Sequence, residues 1–184
     1  MVDFVIILLG DKSVFGRMGM TYLYHYQSPL GGITLASDGF FLTGLWFDGQ
    51  KYFADTVSGH VRTKQVPVFR QVARWLDIYF SGKEPSFMPP IKIQTTPFRK
   101  QVSEIMLAIP YGHTATYGEI AVQIERQNGG RRMSAQAVGG AVSHNCISLI
   151  IPCHRVVGAN GKLTGYAGGI DRKIKLLQLE KVLI

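Results

Sequence analysis

The sequence predicts an α/β N-terminal domain, formed by an antiparallel sheet plus a helix, joined to a mainly α-helical C-terminal domain that contains a helix-turn-helix variant. Three observations lead to this prediction. β-branched and aromatic residues alternate with turn residues over residues 20–47, apolar residues recur at helical spacing in most of the chain after residue 95, and three prolines interrupt residues 83–93. The predicted boundaries are a first domain with its linker at residues 20–93 and a second domain at residues 94–184.

The first domain is expected to begin with a meander of three strands. Tyrosines at alternating positions of residues 22–26 are typical of a strand, and the turns Pro29-Leu30-Gly31-Gly32 and Asp38-Gly39 separate it from further apolar segments. A helix is expected to follow, because Pro67 suits a first helical position and apolar residues recur at helical spacing until Ser81-Gly82. Strands followed by a helix give the α/β character of this domain.

Residues 1–19 precede this patterned sequence. They are expected to be an extension, and an extra edge strand over residues 3–9 is the alternative. The apolar stretch at residues 4–9 follows no Lys or Arg and is much shorter than the ~20 residues that a membrane span requires. Neither a signal peptide nor a membrane anchor is therefore expected.

The composition indicates a globular chain and favours a polyanionic partner. The 184 residues are 46% hydrophobic and 17% charged, which is sufficient for a buried core. Twenty Lys and Arg against twelve Asp and Glu give a formal charge of +8, which favours nucleic-acid binding without requiring it. Two cysteines, Cys146 and Cys153, are too few for a disulfide framework, so a reduced, intracellular and cytoplasmic protein is expected.

The second domain is expected to be mostly helical. Thr96-Pro97 combines an N-cap with a proline at the first helical position, and an apolar face continues to Ile109, just before Pro110. A last amphipathic helix is expected over residues 171–182.

Two short helices between these suggest a helix-turn-helix variant. Thr116 and Glu119 have the spacing of a capping box, in which each residue satisfies a free amide of the first turn. Ser134 is suited to cap a second short helix over residues 135–142, which is rich in Gly and Ala. Because a polar, basic loop at residues 127–132 joins the two helices, we expect the second helix to meet DNA.

Cys153 and His154 are the residues most suggestive of chemistry. The apolar segment of residues 147–151 ends at Pro152, so the two side chains follow a buried segment at a turn. Cysteine is nucleophilic as its thiolate, and the adjacent His154 and Arg155 can supply a proton acceptor and a positive charge. These residue types indicate an activated nucleophile.

Three other interpretations stay open from this motif alone. Free cysteine is commonly a small core residue, so Cys153 also fits a structural role. His144, Cys146 and the pair Cys153-His154 are potential zinc ligands, although adjacent positions fit a tetrahedral site poorly. A cysteine hydrolase is the third alternative, although its histidine generally comes from a distant segment.

In their wider context these residues resemble the O6-alkylguanine-DNA alkyltransferases, also called methylated-DNA protein-cysteine methyltransferases. The similarity is close over residues 95–180 and weaker over residues 20–82. It implies direct-reversal DNA repair, in which an alkyl group passes irreversibly from O6 of guanine, or O4 of thymine, to a cysteine in one turnover per protein. The motifs are Tyr111-Gly112, Thr116-Tyr117-Gly118-Glu119-Ile120-Ala121, Ala137-Val138-Gly139-Gly140-Ala141, Asn145, Ile151-Pro152-Cys153-His154-Arg155-Val156-Val157 and Thr164-Gly165-Tyr166-Ala167-Gly168-Gly169.

The resemblance implies catalytic roles for five residues. Cys153 would accept the alkyl group, and His154 would take the thiol proton through a bridging water. Glu180 would orient His154 and balance its charge. Asn145 would be a hinge that ties the turn before the recognition segment to the backbone around Cys153. Tyr117 would donate its phenolic hydrogen to a ring nitrogen of the departing guanine.

The resemblance also implies a substrate pocket. The backbone amide of Ala167 would bond the reacting oxygen. Because the target oxygen lies on the major-groove edge of a stacked pair, the nucleotide would have to be flipped into the protein. The expected pocket residues are Tyr117, Val156, Tyr166 and Ala167.

The partner that the resemblance implies is double-stranded DNA containing O6-alkylguanine. The helix-turn-helix would dock in the minor groove. No cofactor, metal, membrane or required protein partner is expected, and the protein is expected to act as a monomer. The expected DNA-binding residues are Arg131, Arg132, Ser134, Gln136, Ala137 and Gly139.

Three features depart from the family pattern. Gln136 stands where many relatives place an arginine that fills the gap left by the flipped nucleotide, so we expect weaker extrusion. Some relatives bind structural zinc through N-terminal cysteines, but no cysteine precedes Cys146 here and no zinc is expected. Cys146 replaces an expected proline and is interpreted as a residue without a role in the reaction.

The alternative to an alkyltransferase is a non-catalytic lesion-recognition protein of the same fold. Relatives of that kind usually lack the reactive cysteine, which this sequence keeps.

Overall fold

The computed structural model describes residues 6–7 and 19–182. The chain forms two compact units, within residues 1–94 and residues 95–184. The first contains a sheet and a helix, and the second is mainly helical. The predicted fold class is confirmed.

The described part of the first unit contains a mixed sheet of six strands. Its strands are β1 (Ile6–Ile7), β2 (Met20–Ser28), β3 (Gly31–Ser37), β4 (Leu42–Phe47), β5 (His60–Thr63) and β6 (Ile91–Lys92). They lie in the order β1-β6-β4-β3-β2-β5. Antiparallel pairing joins β2 to β3 and β3 to β4, which confirms the predicted meander, whereas β1, β5 and β6 add parallel pairs.

One helix, α1 (Pro67–Phe80), packs against β2, β3 and β4. Phe69, Val72 and Leu76 are fully buried, so the apolar stripe of the helix faces the sheet. The helix ends where Gly82 adopts a φ of 77°, a left-handed conformation that glycine accepts without a steric penalty.

Two strands differ from the sequence prediction. The linker prediction for residues 83–93 is wrong at Ile91–Lys92, which form β6 between β1 and β4. Ile91 and Ile93 are buried, and this short alternation is obscured by the prolines that precede it. Strand β5 is not predicted, because all four of its residues are exposed and lack apolar alternation.

Among residues 1–19, the structure describes Ile6, Ile7 and Gly19. Ile6 and Ile7 form β1, which pairs with β6 at the edge of the sheet. The expected extension and the alternative strand over residues 3–9 otherwise lie outside the described residues.

The described part of the second unit contains four α-helices. They are α2 (Pro97–Leu107), α3 (Tyr117–Gln127), α4 (Ala135–Ser143) and α5 (Ile170–Leu179). Two short strands, β7 (Ala115–Thr116) and β8 (Val156–Val157), pair in parallel. Helices α3 and α4 pack against each other, and α2 packs against both. Within the described ranges, none of the helices has the length and apolar character needed to span a bilayer.

The predicted caps of α3 and α4 are present. Thr116 Oγ1 accepts from the amide of Glu119 at 3.1 Å, and Glu119 Oε2 accepts from the amide of Thr116 at 2.6 Å. Ser134 Oγ accepts from the amide of Ala137 at 3.1 Å. Because these bonds define where each helix begins, they also fix the position of Tyr117 at the start of α3.

Helix α5 ends earlier than predicted. Lys181 adopts a φ of 60°, its amide donates to the carbonyl of Gln178, and the amide of Val182 donates to the carbonyl of Leu177. This is a Schellman motif, which usually contains glycine, so the sequence gives no signal for it. The motif makes Glu180 the C-cap residue, with its side chain buried.

Candidate active site

Asn145 holds the Cys153 thiol. Its Nδ2 donates to Cys153 Sγ at 3.0 Å and to the carbonyl of Ile151 at 2.8 Å, and its Oδ1 accepts from the amide of Ile147 at 3.1 Å. The buried side-chain amide of Asn145 therefore links both ends of residues 147–151 to the thiol. Asn145 directly follows α4 and its C-cap His144, so its side chain connects the end of this helix to the backbone before Cys153.

The segment between Asn145 and Cys153 contains a strained residue. Leu149 is buried and has a φ of 70°. This left-handed conformation costs a residue other than glycine about 1–3 kcal/mol and is frequent at functional sites. Hydrogen bonds from the amides of Ile151 and Cys153 to the carbonyls of Ile147 and Ile151 hold the turn around it.

Cys153 begins a short 3₁₀ turn, Cys153–Arg155, and is only 4% exposed. Burial raises the pKa of its thiol, and the hydrogen bond from Asn145 and the charge of Lys173 offset only part of that increase. The thiol is therefore protonated at neutral pH. A nucleophilic Cys153 requires a proton acceptor.

Donors enclose the carboxylate of Glu180. Arg155 Nε donates to Oε2 at 2.9 Å, Arg155 Nη2 donates to Oε1 at 3.1 Å, and the amide of Gly112 donates to Oε2 at 3.2 Å. Burial raises the pKa of Glu180, but the hydrogen bonds and charges of His154 and Arg155 outweigh burial and lower this pKa to about 2. Glu180 is therefore ionised at neutral pH.

The hydrogen bond to Glu180 defines the tautomer of His154. His154 Nε2 lies 2.7 Å from Glu180 Oε1, and both side chains are fully buried. Because an ionised carboxylate only accepts, Nε2 carries the hydrogen. Burial lowers the pKa of His154 in spite of Glu180, so the ring is neutral at pH 7. The ring nitrogen able to take up a proton is then Nδ1.

We expect acid to destabilise the second unit through this pair. The pKa of Glu180 is lowered from 4.5 to about 2, so its contribution is complete above pH 4.5 and is lost as the pH falls toward 2. The lowered pKa of His154 acts in the same sense, because protonation below pH 6.5 favours the unfolded chain. Glu180→Gln should therefore flatten the pH dependence of the unfolding free energy by roughly 3 kcal/mol.

Urea unfolding of the wild type and Glu180→Gln, followed by circular dichroism at several pH values, measures this difference. Glu104→Gln is the matched control, because Glu104 lies on an exposed position of α2. Equal pH dependence in the wild type and Glu180→Gln would contradict the assignment of the shift to Glu180.

Lys173 is a residue of the site that the sequence reasoning missed. Its side chain is fully buried, and Nζ donates to the carbonyls of Val156 at 2.6 Å, Thr164 at 3.0 Å and Gly165 at 3.4 Å. A signal was present in the sequence, because Lys173 shares the buried face of α5 with Leu176 at helical spacing.

Tyr117 lies at the first position of α3, beside α4. A Cβ placed on Gly139 of α4 would lie 3.8 Å from the Tyr117 ring, which allows close approach of the two helices. The Tyr117 hydroxyl donates to the carbonyl of Thr164 at 3.5 Å. Burial raises the pKa of Tyr117, and the negative charge of an ionised Cys153 would raise it further. The phenol is therefore a hydrogen-bond donor near the thiol.

The other expected pocket residues lie in two segments around Cys153. Val156 is fully buried at the start of β8, and Ala167 is partly buried in the loop before α5. The Tyr166 hydroxyl is buried and makes no hydrogen bond to a described residue. Burial raises its pKa well above the usual value, and Cys153 again adds to the increase. Tyr166 and Tyr117 are thus both electrostatically coupled to Cys153.

The residues expected to bind DNA lie on the α3–α4 loop and on α4. All except Gly139 are exposed, and Gly139 is partly exposed beside Tyr117. The exposed members are Arg131, Arg132, Ser134, Gln136 and Ala137. The surface that they form is basic along the loop and nearly free of long side chains along the helix.

The zinc alternative concerned His144, Cys146 and the pair Cys153-His154. Within the described part of the chain, no three or more His, Cys, Asp and Glu side chains are grouped to hold a metal ion. Asn145 and Glu180 instead engage the Cys153 and His154 side chains.

The two units match two family models. Residues 21–93 match the ribonuclease-like domain of 6-O-methylguanine DNA methyltransferase, and residues 97–182 match its DNA binding domain. Fold and site together therefore define a methyltransferase with a ribonuclease-like N-terminal domain and a C-terminal DNA-binding domain.

Individual relatives agree with this class. The methylated-DNA–protein-cysteine methyltransferase of Mycobacterium tuberculosis is 44% identical over 165 residues, covering 86% of this chain and 93% of the relative. That of Haemophilus influenzae is 40% identical over 166 residues, covering 89% of each. The crystal structure of Mycobacterium tuberculosis OGT in complex with DNA has a TM-score of 0.75 at 42% identity, covering 88% of this chain and 92% of that one. The chain belongs to the 6-O-methylguanine DNA methyltransferase family, which confirms the resemblance.

Proposed function

We propose that this protein repairs alkylated DNA by moving an alkyl group from O6 of guanine, or from O4 of thymine, to Sγ of Cys153. The observation that carries the proposal is the Asn145–Cys153 contact of 3.0 Å, beside a fully buried His154–Glu180 pair. Family membership supplies the substrate class. Cys153 as the acceptor is supported by the hydrogen bond that its thiol receives from Asn145 and by the neutral imidazole of the adjacent residue, His154.

The proposed transfer is a displacement at the alkyl carbon. A bond forms between Cys153 Sγ and that carbon while the bond from the carbon to O6 breaks, and its electron pair stays on the guanine. The thiol proton passes through a water molecule to His154 Nδ1, and Glu180 stabilises the resulting imidazolium. The products are a thioether on the protein and guanine that regains a proton. Because a thioether has no easy reversal, each chain acts once.

The leaving guanine is stabilised by donors around it. We assign to the Tyr117 hydroxyl a hydrogen bond to a ring nitrogen, and to the amide of Ala167 a hydrogen bond to the departing oxygen. Tyr117 suits this role because its raised pKa keeps the phenol protonated. Val156 and Tyr166 are assigned to the pocket walls, next to the thiol.

DNA would be engaged through the α3–α4 unit. We propose that α4 enters the minor groove, because its small side chains allow close approach to the duplex, while Arg131 and Arg132 meet phosphates. Ser134 and Gln136 at the start of α4 would face the backbone and the gap left by the flipped nucleotide. Double-stranded DNA containing O6-alkylguanine is accordingly the proposed partner.

No further component is needed for this reaction, because the alkyl acceptor is a side chain of the protein. We therefore propose a monomer that acts on DNA in the cytoplasm without a cofactor or a protein partner. Reaction of the purified chain with purified duplex alone tests this, and a requirement for any added component would contradict it.

The test of the proposed function is single-turnover transfer from a duplex with labelled O6-methylguanine. We expect at most one label per chain, and none in Cys153→Ala. Cys146→Ala is the matched control, because Cys146 is the other buried cysteine and should leave transfer intact. Full transfer in Cys153→Ala, or binding of the lesion without loss of the methyl group in the wild type, would overturn the proposal.

We expect Gln136→Arg to bind duplex DNA more tightly. Gln136 is exposed at the start of α4, so an added guanidinium there would reach a phosphate and release a counterion. The slope of log affinity against log salt should become steeper by about one unit. Fluorescence anisotropy at several salt concentrations measures it. Gln178→Arg, at an exposed position of α5, is the control for net charge. Equal salt slopes in the two variants would contradict a contact between residue 136 and a phosphate.

A further inference from the structure

Lys173 is a buried cation whose partners are backbone carbonyls. Its side chain is fully buried in the second unit, and its three ammonium hydrogens match the three carbonyls of Val156, Thr164 and Gly165. A buried ammonium that is bound by neutral carbonyls keeps its charge uncompensated at short range. Such a charge acts on the titratable groups around it.

The three carbonyls belong to the two segments that flank the reacting atoms. Val156 lies three residues after Cys153, and the Thr164-Gly165 segment runs directly into the loop that carries Tyr166 and Ala167. The Thr164 carbonyl also accepts from the Tyr117 hydroxyl at 3.5 Å. One ammonium therefore fixes the strand after the thiol, the pocket loop, and the acceptor that orients Tyr117.

The titratable groups on which this cation acts are Cys153 in the 3₁₀ turn and His154 beside it, and the phenols Tyr117 and Tyr166 are in turn coupled to Cys153. Burial lowers the pKa of Lys173 to about 8, and the negative charge of an ionised Cys153 opposes that decrease. In return Lys173 lowers the pKa of Cys153 and that of His154. Both phenols are also coupled to Cys153, because an ionised thiol raises their pKa and so favours their protonated form.

We propose that Lys173 is a positioning residue that clamps the pocket loop at residues 164–167 to β8 and supplies the positive charge that favours the Cys153 thiolate. The proposal deepens the proposed function, on which its role in alkyl transfer rests. Lys173 itself does not touch the alkyl group in this scheme. It acts through the thiol and through the loop that carries the donors to the base.

The test compares Lys173→Met, Lys173→Arg and the control Lys175→Met, which removes an exposed lysine two residues further along α5. The first readout is the rate at which iodoacetamide alkylates Cys153 at pH 7, where Lys173 keeps most of its charge, with peptide mass spectrometry separating Cys153 from Cys146. This rate follows the thiolate fraction and requires no DNA. We expect Lys173→Met to react roughly tenfold more slowly, because loss of a nearby opposite charge raises a pKa by about one unit or more.

Misfolding would act in the opposite direction, because it would expose Cys153 and raise the alkylation rate. Lys173→Arg keeps the charge and should recover most of the wild-type rate, and Lys175→Met should match the wild type. A rate in Lys173→Met equal to or above that of the wild type would overturn the proposal.

The second readout is methyl transfer from O6-methylguanine DNA, alongside duplex affinity. Lys173→Met should slow transfer by at least the factor seen with iodoacetamide and leave affinity within about twofold, because the residue is buried away from the DNA-binding surface. Reduced affinity with unchanged transfer from the bound state would overturn the proposal. If the wild type itself transfers no methyl group, the proposed function fails, and the iodoacetamide comparison still decides the effect of Lys173 on the thiol.

Discussion

Replacing His154 with alanine is expected to slow methyl transfer to Cys153 at pH 7 by about 10²–10⁴-fold, the usual contribution of a positioned general base. The thiol is protonated at this pH because burial raises the pKa of Cys153. In the wild type His154 accepts the proton at Nδ1, because its Nε2 already donates a hydrogen bond to Glu180 at 2.7 Å. Without that ring, transfer depends on the small fraction of thiolate that forms in water.

The pH profile distinguishes this role from a structural one. In His154→Ala the rate should rise about tenfold per pH unit up to the pKa of the thiol, so the deficit should shrink at higher pH. Single-turnover transfer measured across a pH series tests this. His113→Ala is the control, since His113 is exposed and lies outside the Glu180 network. Equal rates in His154→Ala and the wild type at pH 7 would contradict the assignment of the base.

Replacing Arg155 with methionine is expected to destabilise the second unit by about 3–5 kcal/mol, the cost of leaving a buried charge without its partner. Arg155 donates twice to Glu180, and its Nη1 donates to the carbonyl of Ile109 at 2.6 Å. Its guanidinium also lies 5.7 Å from the centre of the Tyr111 ring. One side chain thus joins the end of α2 to the end of α5.

A double-mutant comparison separates the cost of the unpaired Glu180 carboxylate from the rest of the stability that Arg155→Met loses. Arg155→Met combined with Glu180→Gln should be more stable than Arg155→Met alone, because the second change removes the uncompensated carboxylate. Urea unfolding followed by circular dichroism provides the free energies. Arg131→Met on the exposed loop should change stability by no more than about 0.5 kcal/mol. A double variant as unstable as the sum of its single changes would contradict the account of Glu180.

The helices of the second unit were predictable because their ends are encoded locally. The capping box of Thr116 and Glu119 and the Ser134 cap involve residues three apart, so spacing alone identifies them. Cys153 and His154 could be identified for the same reason, because they are adjacent in the sequence. Asn145 and Glu180, by contrast, came only from the family resemblance, since a lone asparagine at a turn and a carboxylate near a chain end have no distinctive local pattern.

The features that sequence reasoning missed depend on distant contacts. The carbonyls that bind Lys173 lie 8 to 17 positions earlier in the chain, and a lysine on an apolar face gives no indication of them. The left-handed Leu149 is held by the hydrogen bonds of its own turn against its intrinsic preference. Strand β5 forms because it pairs in parallel with β2 at the edge of the sheet. Its four residues are all exposed, so they have no apolar pattern that would predict this pairing.

The central claim is that Cys153 itself becomes the alkyl carrier. Peptide mass spectrometry of the chain after reaction with an equal amount of duplex containing one O6-methylguanine tests it most directly. We expect a single added methyl group on the peptide that contains Cys153, none on Cys146, and unmodified guanine in the recovered DNA. A methyl group on another residue, or methyl loss from the DNA with Cys153 unchanged, would contradict the claim.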